Sequence, residues 1–269
     1  MLPFKCAGIK TKLRDMQKEK VFFKNARGLK LCGILEGPKD AKAAVLLIPG
    51  YASGKDEWER FFVRYAAILN TAGFLTLRFD KAGMGESEGD FVDSTFETEL
   101  DDSLSAYNFL KGRLQNISVA GQSIGGLLAI ALASEADIRA VVSSAAPAAA
   151  DKLWKELFTD EQVAELESKG KVRIPSDWKE KFGIKFLGMK YFREIQGFDI
   201  RLYAQKVRAP TLVVQGTKDD IVKVEHAKLL YDALRCKKRL EVIEGASHNF
   251  SPHQEKFFGL ASAWFKKHL

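Results

Sequence analysis

Gly121-Gln122-Ser123-Ile124-Gly125-Gly126 is the stretch on which the fold turns. It joins Ile117–Gly121, an apolar run of strand length, to Ile124–Ser134, which is apolar on all sides and long enough for a buried helix. Passing from strand to helix within one residue holds Ser123 in a strained backbone geometry and lifts its hydroxyl above the sheet edge. Neighbours two positions away on each side must be tiny, so glycine is needed at 121 and 125. The helix starting at Ile124 offers free N–H groups and a positive dipole end, both suited to a developing negative charge. A serine here also serves as a plain helix cap. The strand before it and the helix behind it favour chemistry.

Outward from this point, short apolar runs alternate with longer helical patterns. Glu19–Asn25 and Leu29–Gly37 read as a hairpin around Ala26-Arg27-Gly28. Ala43–Pro49 is a strand buried on both faces, Trp58–Ala72 a helix stopped by Gly73, and Phe74–Asp80 a strand. Thr95–Arg113 is a helix with Leu100, Leu104, Tyr107 and Leu110 on one stripe, and Ile138–Ser144 a strand. Thr211–Gln215, Val224–Cys236, Leu240–Ile243 and a last helix from about His253 continue the rhythm. Such alternation predicts an α/β fold: a mostly parallel central sheet with helices on both faces. It breaks between Asp151 and Lys206, where no strand signal appears. Helical patterns at Asp151–Lys169 and Asp177–Met189 flank Gly170–Ser176, with aromatics at Trp154, Phe158, Trp178, Phe182, Phe186, Tyr191, Phe192, Phe198 and Tyr203. The expected organisation is a core of residues 1–150 and 207–269, with a small helical cap, 151–206, inserted after the sixth strand.

A serine hydroxyl attacks poorly until a base takes its proton. There are four histidines. His226 falls within a helical pattern and His268 at the tail, where a solvated helix surface is expected. His248 lies in Glu244-Gly245-Ala246-Ser247-His248, a loop after the last strand and so at the same sheet edge as Ser123. His253 opens the last helix and suits a cap or surface role. The base in turn needs an acid to fix its tautomer. Gln215-Gly216-Thr217-Lys218-Asp219-Asp220 follows another strand to that edge, and either aspartate fits the part. The chain order is then Ser, Asp, His.

With these motifs the chain resembles the α/β-hydrolase superfamily over about residues 19–269, cap apart. Gly121-Gln122-Ser123-Ile124-Gly125 looks like its nucleophile elbow and Gly245-Ala246-Ser247-His248 like its histidine loop. Gly216 to Val222 is similar to its acid loop, in which the aspartate three residues after the glycine is catalytic, which implies Asp219 rather than Asp220. Arg78 to Ser87 resembles a structural turn near the site, with no catalytic role. The resemblance also implies an oxyanion hole from the backbone N–H groups of Ile124 and Tyr51, the latter in Ile48-Pro49-Gly50-Tyr51, where Pro49 stands in place of the usual histidine. Among capped members the chain looks most like cinnamoyl and feruloyl esterases and monoglyceride-lipase- or serine-aminopeptidase-like proteins. The implied activity is hydrolysis of carboxylic esters of small or aromatic acyl groups through an acyl-enzyme. A thioesterase, monoacylglycerol lipase or aminopeptidase on the same triad is the alternative, and a non-catalytic binding protein a remoter one. Serine rather than aspartate at the elbow argues against dehalogenase and epoxide-hydrolase chemistry.

The 269 residues are 46% hydrophobic, which excludes a disordered chain, and carry 42 Lys+Arg against 35 Asp+Glu. The net +7 is spread along the chain. Its densest clusters, Arg235 to Arg239 and Lys266-Lys267, sit where helices end, and no nucleic-acid reading motif accompanies them. Three widely spaced cysteines (Cys6, Cys32, Cys236) argue against a disulfide framework and for a reducing compartment. The first residues lack the apolar core of a signal peptide, and no apolar run approaches the roughly 20 residues of a membrane span. The expectation is a cytoplasmic enzyme with a small-molecule ester substrate. No clustered His/Cys ligand set and no Gly-x-Gly-x-x-Gly after a strand occurs, so neither metal nor cofactor is implied.

Overall fold

The computed structural model describes residues 15–149, 158–173, 184 and 186–269. An eight-stranded sheet has the order β1-β2-β4-β3-β5-β6-β9-β10. Its strands are β1 (Met16–Lys24), β2 (Lys30–Pro38), β3 (Ala43–Ile48), β4 (Leu75–Phe79), β5 (Asn116–Gln122), β6 (Val141–Ser144), β9 (Thr211–Gly216) and β10 (Lys238–Ile243). The β1–β2 hairpin joins antiparallel to β4, and every other pairing is parallel. The mostly parallel sheet expected from the alternation is therefore present.

Helices cover both faces, and β3 shows how. Its six residues, Ala-Ala-Val-Leu-Leu-Ile, are all buried. Ala44, Leu46 and Ile48 join one core cluster with α2 (Phe96–Lys111) and α3 (Ile124–Glu135). Ala43, Val45 and Leu47 join the opposite cluster with α1 (Phe61–Thr71) and the last helix, Gln254–His268. A period-2 strand buried on both sides needs apolar residues at consecutive positions, as this run supplies. Helix α3 lies wholly inside, buried from Ile124 to Ala133, which explains why it carries no polar face.

Between β6 and β9 the expectation of purely helical structure is corrected. The described part holds α4 (Asp160–Lys169) and an antiparallel ribbon of β7 (Lys171–Arg173) and β8 (Phe186–Gly188). Then come α5 (Met189–Gln196) and α6 (Arg201–Ala204). Three-residue strands are too short to show alternation, and β8 falls inside the stretch read as the helix Asp177–Met189. Trp154, Trp178 and Phe182 lie outside the described residues. Of the other aromatics, Phe198 packs on Phe96 of α2 with ring centroids 4.3 Å apart, and Tyr191 is buried. Glu194 of α5 accepts the Phe96 and Glu97 N–H groups at 2.5 and 3.1 Å, so this segment caps the start of α2. The remaining helices are α7 (Val224–Ala233) and α8 (Gln254–His268).

Candidate active site

The parallel strands end on one edge of the sheet, and the loops leaving β3, β5, β9 and β10 carry the residues singled out above. At the β5–α3 junction Ser123 takes φ 55° and ψ −125°, the strain anticipated for a one-residue strand-to-helix turn. A Cβ at Gly121 would come within 1.9 Å of the Gly125 carbonyl oxygen, and one at Gly125 within 2.1 Å of the Ile48 carbonyl oxygen. Both glycines are thus required by close backbone approach. The Ser123 N–H donates to the Ser144 carbonyl at 2.9 Å, tying the turn to β6. Ile124 opens α3, and the leading N–H groups of a helix have no partner within it.

The loop after β10 is held against this turn by its backbone. Gln122 Nε2 donates to the His248 carbonyl at 2.6 Å, and Gln122 Oε1 lies 2.7 Å from the Ser144 hydroxyl. His248 Nδ1 lies 2.8 Å from Asp219 Oδ2. Asp219 is 3% exposed. It also accepts from Gln215 Nε2 at 2.8 Å and from the Ile221 and Val222 N–H groups at 2.9 and 2.8 Å. Burial pushes its carboxyl pKa up, but the bonds from His248, Val222 and Gln215 outweigh that and hold it below the usual value. An ionised Asp219 accepts only, so Nδ1 of His248 carries the proton and Nε2 is left as the basic nitrogen. Asp220 is exposed. Among the described residues no hydrogen bond joins the Ser123 hydroxyl to His248. Such bonds commonly tighten only when substrate is bound.

The other histidines have different surroundings. The His226 imidazole Nδ1 accepts the Ala149 N–H at 3.1 Å, a loop-anchoring contact rather than the plain solvated surface expected of it. His253 occupies the N-cap of α8 without a side-chain cap bond. The His268 ring packs on Trp264 at 4.4 Å, so it too is less solvated than expected. Burial, with Lys237 and Lys267 nearby, lowers its pKa.

The loop after β3 runs beside the turn. A Cβ at Gly50 would lie 3.4 Å from Ser123 Cβ. The Gly50 N–H donates to Glu57 Oε1, and its carbonyl accepts from Lys81 Nζ at 2.9 Å. Lys81 is fully buried and pairs with Glu99 Oε2 at 2.9 Å. Sequence reasoning missed Glu57, Lys81 and Glu99. A signal existed for the last: Glu99 shares the stripe of Phe96, Ser103, Ala106 and Leu110 on the buried side of α2, where a charge demands a buried partner. Cys32, Asp80 and Glu86 place their ligand atoms within 4.8 Å of one another, the only such metal-compatible trio among the described residues. Lys55 Nζ already sits 2.6 Å from Asp80 and 3.1 Å from Glu86, supplying the countercharge a cation would bring. No helix among the described residues is long and apolar enough to cross a membrane.

A family model described as "Alpha/beta hydrolase family" matches residues 45–260. The chain is 27% identical over 186 residues to the human mitochondrial palmitoyl-protein thioesterase ABHD10, covering 68% of this chain and 59% of that protein. It is 23% identical over 224 residues to a carboxylesterase of Bacillus subtilis, covering 81% and 89%. Among solved structures, Est1E of Butyrivibrio proteoclasticus with bound ferulic acid superposes with a TM-score of 0.79 at 24% identity, over 92% of this chain and 98% of that one.

Proposed function

The chain belongs to the alpha/beta hydrolase family, and we propose that it hydrolyses carboxylic esters of small or aromatic acyl groups through a Ser123–His248–Asp219 triad. The observation that carries this reading is the 2.8 Å contact of buried Asp219 with His248, on a loop bonded to the strained turn that presents Ser123. Nε2 of His248 takes the hydroxyl proton as Ser123 Oγ bonds to the acyl carbon, and the carbonyl electron pair moves onto oxygen. The N–H groups of Tyr51 and Ile124 hold that oxyanion. Its collapse expels the alkoxide, which leaves as the alcohol with the proton from His248. Water, deprotonated by the same nitrogen, then cleaves acyl-Ser123 and releases the acid. Asp219 keeps the imidazole in the required tautomer throughout and stabilises its cation.

Segment 151–206 is proposed to cover this site and select the acyl group. Supporting this, Tyr191 of α5 packs edge-on against Tyr51 with ring centroids 4.9 Å apart, so the inserted segment reaches the oxyanion loop itself. Hydrolysis of p-nitrophenyl acetate and butyrate tests the function. The wild type should exceed Ser123→Ala by orders of magnitude, and equal rates would refute it. A thioesterase is the second reading, favoured by the similarity to ABHD10. Matched esters and acyl thioesters separate the two by their ratio of kcat/KM.

A further inference from the structure

We propose that Lys81 is a positioning residue for the reaction: it fixes the peptide between Gly50 and Tyr51 so that the Tyr51 N–H is held in its oxyanion-binding orientation. The inference rests on the triad reading above and extends it to a residue that reading gives no role. Gly50 lacks a side chain, so rotation of the peptide that follows it meets little steric resistance. The backbone there needs an external restraint to choose one orientation. Two side chains supply it, half-buried Glu57 on the Gly50 N–H and fully buried Lys81 on the Gly50 carbonyl. The carbonyl of Gly50 and the N–H of Tyr51 belong to one planar trans peptide and point in opposite directions. Anchoring the oxygen on Lys81 therefore aims the N–H away from Lys81.

The charge matters as well as the geometry. An ammonium donating to a carbonyl inside a low-dielectric interior polarises that amide and strengthens its N–H as a donor. Lys81 sits at 0% exposure, where this effect is largest. Its charge is balanced by Glu99, whose Oε2 also receives the Tyr191 hydroxyl at 3.2 Å. Buried ion pairs are seldom retained for stability, since apolar replacements of similar volume often fold as well or better. That leaves the pair's contact with Gly50 as its most distinctive feature.

The test compares wild type, Glu99→Gln and the double variant Lys81→Met/Glu99→Gln, which removes the ammonium without stranding a buried carboxylate. Lys81→Met/Glu99→Met serves as the second pair if the amide prevents folding. With p-nitrophenyl butyrate, the double variant should lose at least about tenfold in kcat, up to the roughly 10²–10³ of a missing oxyanion donor, with KM nearly unchanged. Affinity for an aliphatic trifluoromethyl ketone, whose serine adduct carries an oxyanion, should fall by the same factor as kcat/KM. Glu99→Gln removes the countercharge but leaves Lys81 Nζ as a donor to the Gly50 carbonyl, so it should retain more kcat than the double variant. A Glu99→Gln loss equal to that of the double variant would place the effect on the carboxylate and overturn the proposal. A double variant that folds and retains wild-type kcat and ketone affinity overturns the proposal, as does a loss confined to KM. If the wild type itself does no better than Ser123→Ala, the triad reading fails and this inference falls with it.

Discussion

At Ser123 a positive φ in a residue with a side chain costs on the order of 1–3 kcal/mol, and the surrounding backbone holds it there. The proposed choice of acid rests on burial at the same scale. Asp219 and Asp220 are neighbours in sequence, yet one is enclosed by four donors and the other is exposed. Asp219→Asn should lower kcat by about 10³–10⁴, because the amide NH2 donates to Nδ1 and so favours the wrong tautomer, and a neutral side chain no longer stabilises the imidazolium. Asp220→Asn should stay close to wild type in the same steady-state assay, and the reverse ranking would refute the assignment. The depressed carboxyl also has a pH consequence. Its folded pKa lies below the unfolded value, so its stabilisation is present above about pH 4 and is lost as pH falls through the folded pKa.

Among the elements, the β5–α3 junction is where the fold is least tolerant. Neither Gly121 nor Gly125 has room for a methyl group, because the atoms it would meet are backbone carbonyls of β3 and α3 that cannot rotate away. Gly121→Ala should destabilise the chain by about 3 kcal/mol or more, beyond ordinary overpacking. Thermal melting checks this, and an unchanged melting temperature would contradict the packing described. This junction was legible in the sequence because its constraints are local: an apolar strand, a one-residue turn, small neighbours and an apolar helix. The ribbon β7–β8 was not, since three residues carry no period. Lys81 was hidden for another reason. Its partners Gly50 and Glu99 lie 31 and 18 positions away, and only the folded sheet brings them together.

For the whole molecule, what the sequence determined best was the arrangement along one sheet edge. Loops after parallel strands converge there whatever their separation in the chain, so order and strand-end placement sufficed to bring Asp219 to His248. The contacts that tie the inserted segment to the body, Tyr191 on Tyr51 and Glu194 on the first turn of α2, gave no such signal, because they depend on tertiary placement. Net charge, +7 and spread along the chain, decided little. The central claim is that one serine of the entire chain is a nucleophile. Labelling the folded protein with a fluorophosphonate ester and mapping the peptides by mass spectrometry tests it most directly. A single stoichiometric adduct on Ser123, strongly slowed in the His248→Ala variant, is the predicted result. No adduct, or labelling on another serine with Ser123 unmodified, would contradict it.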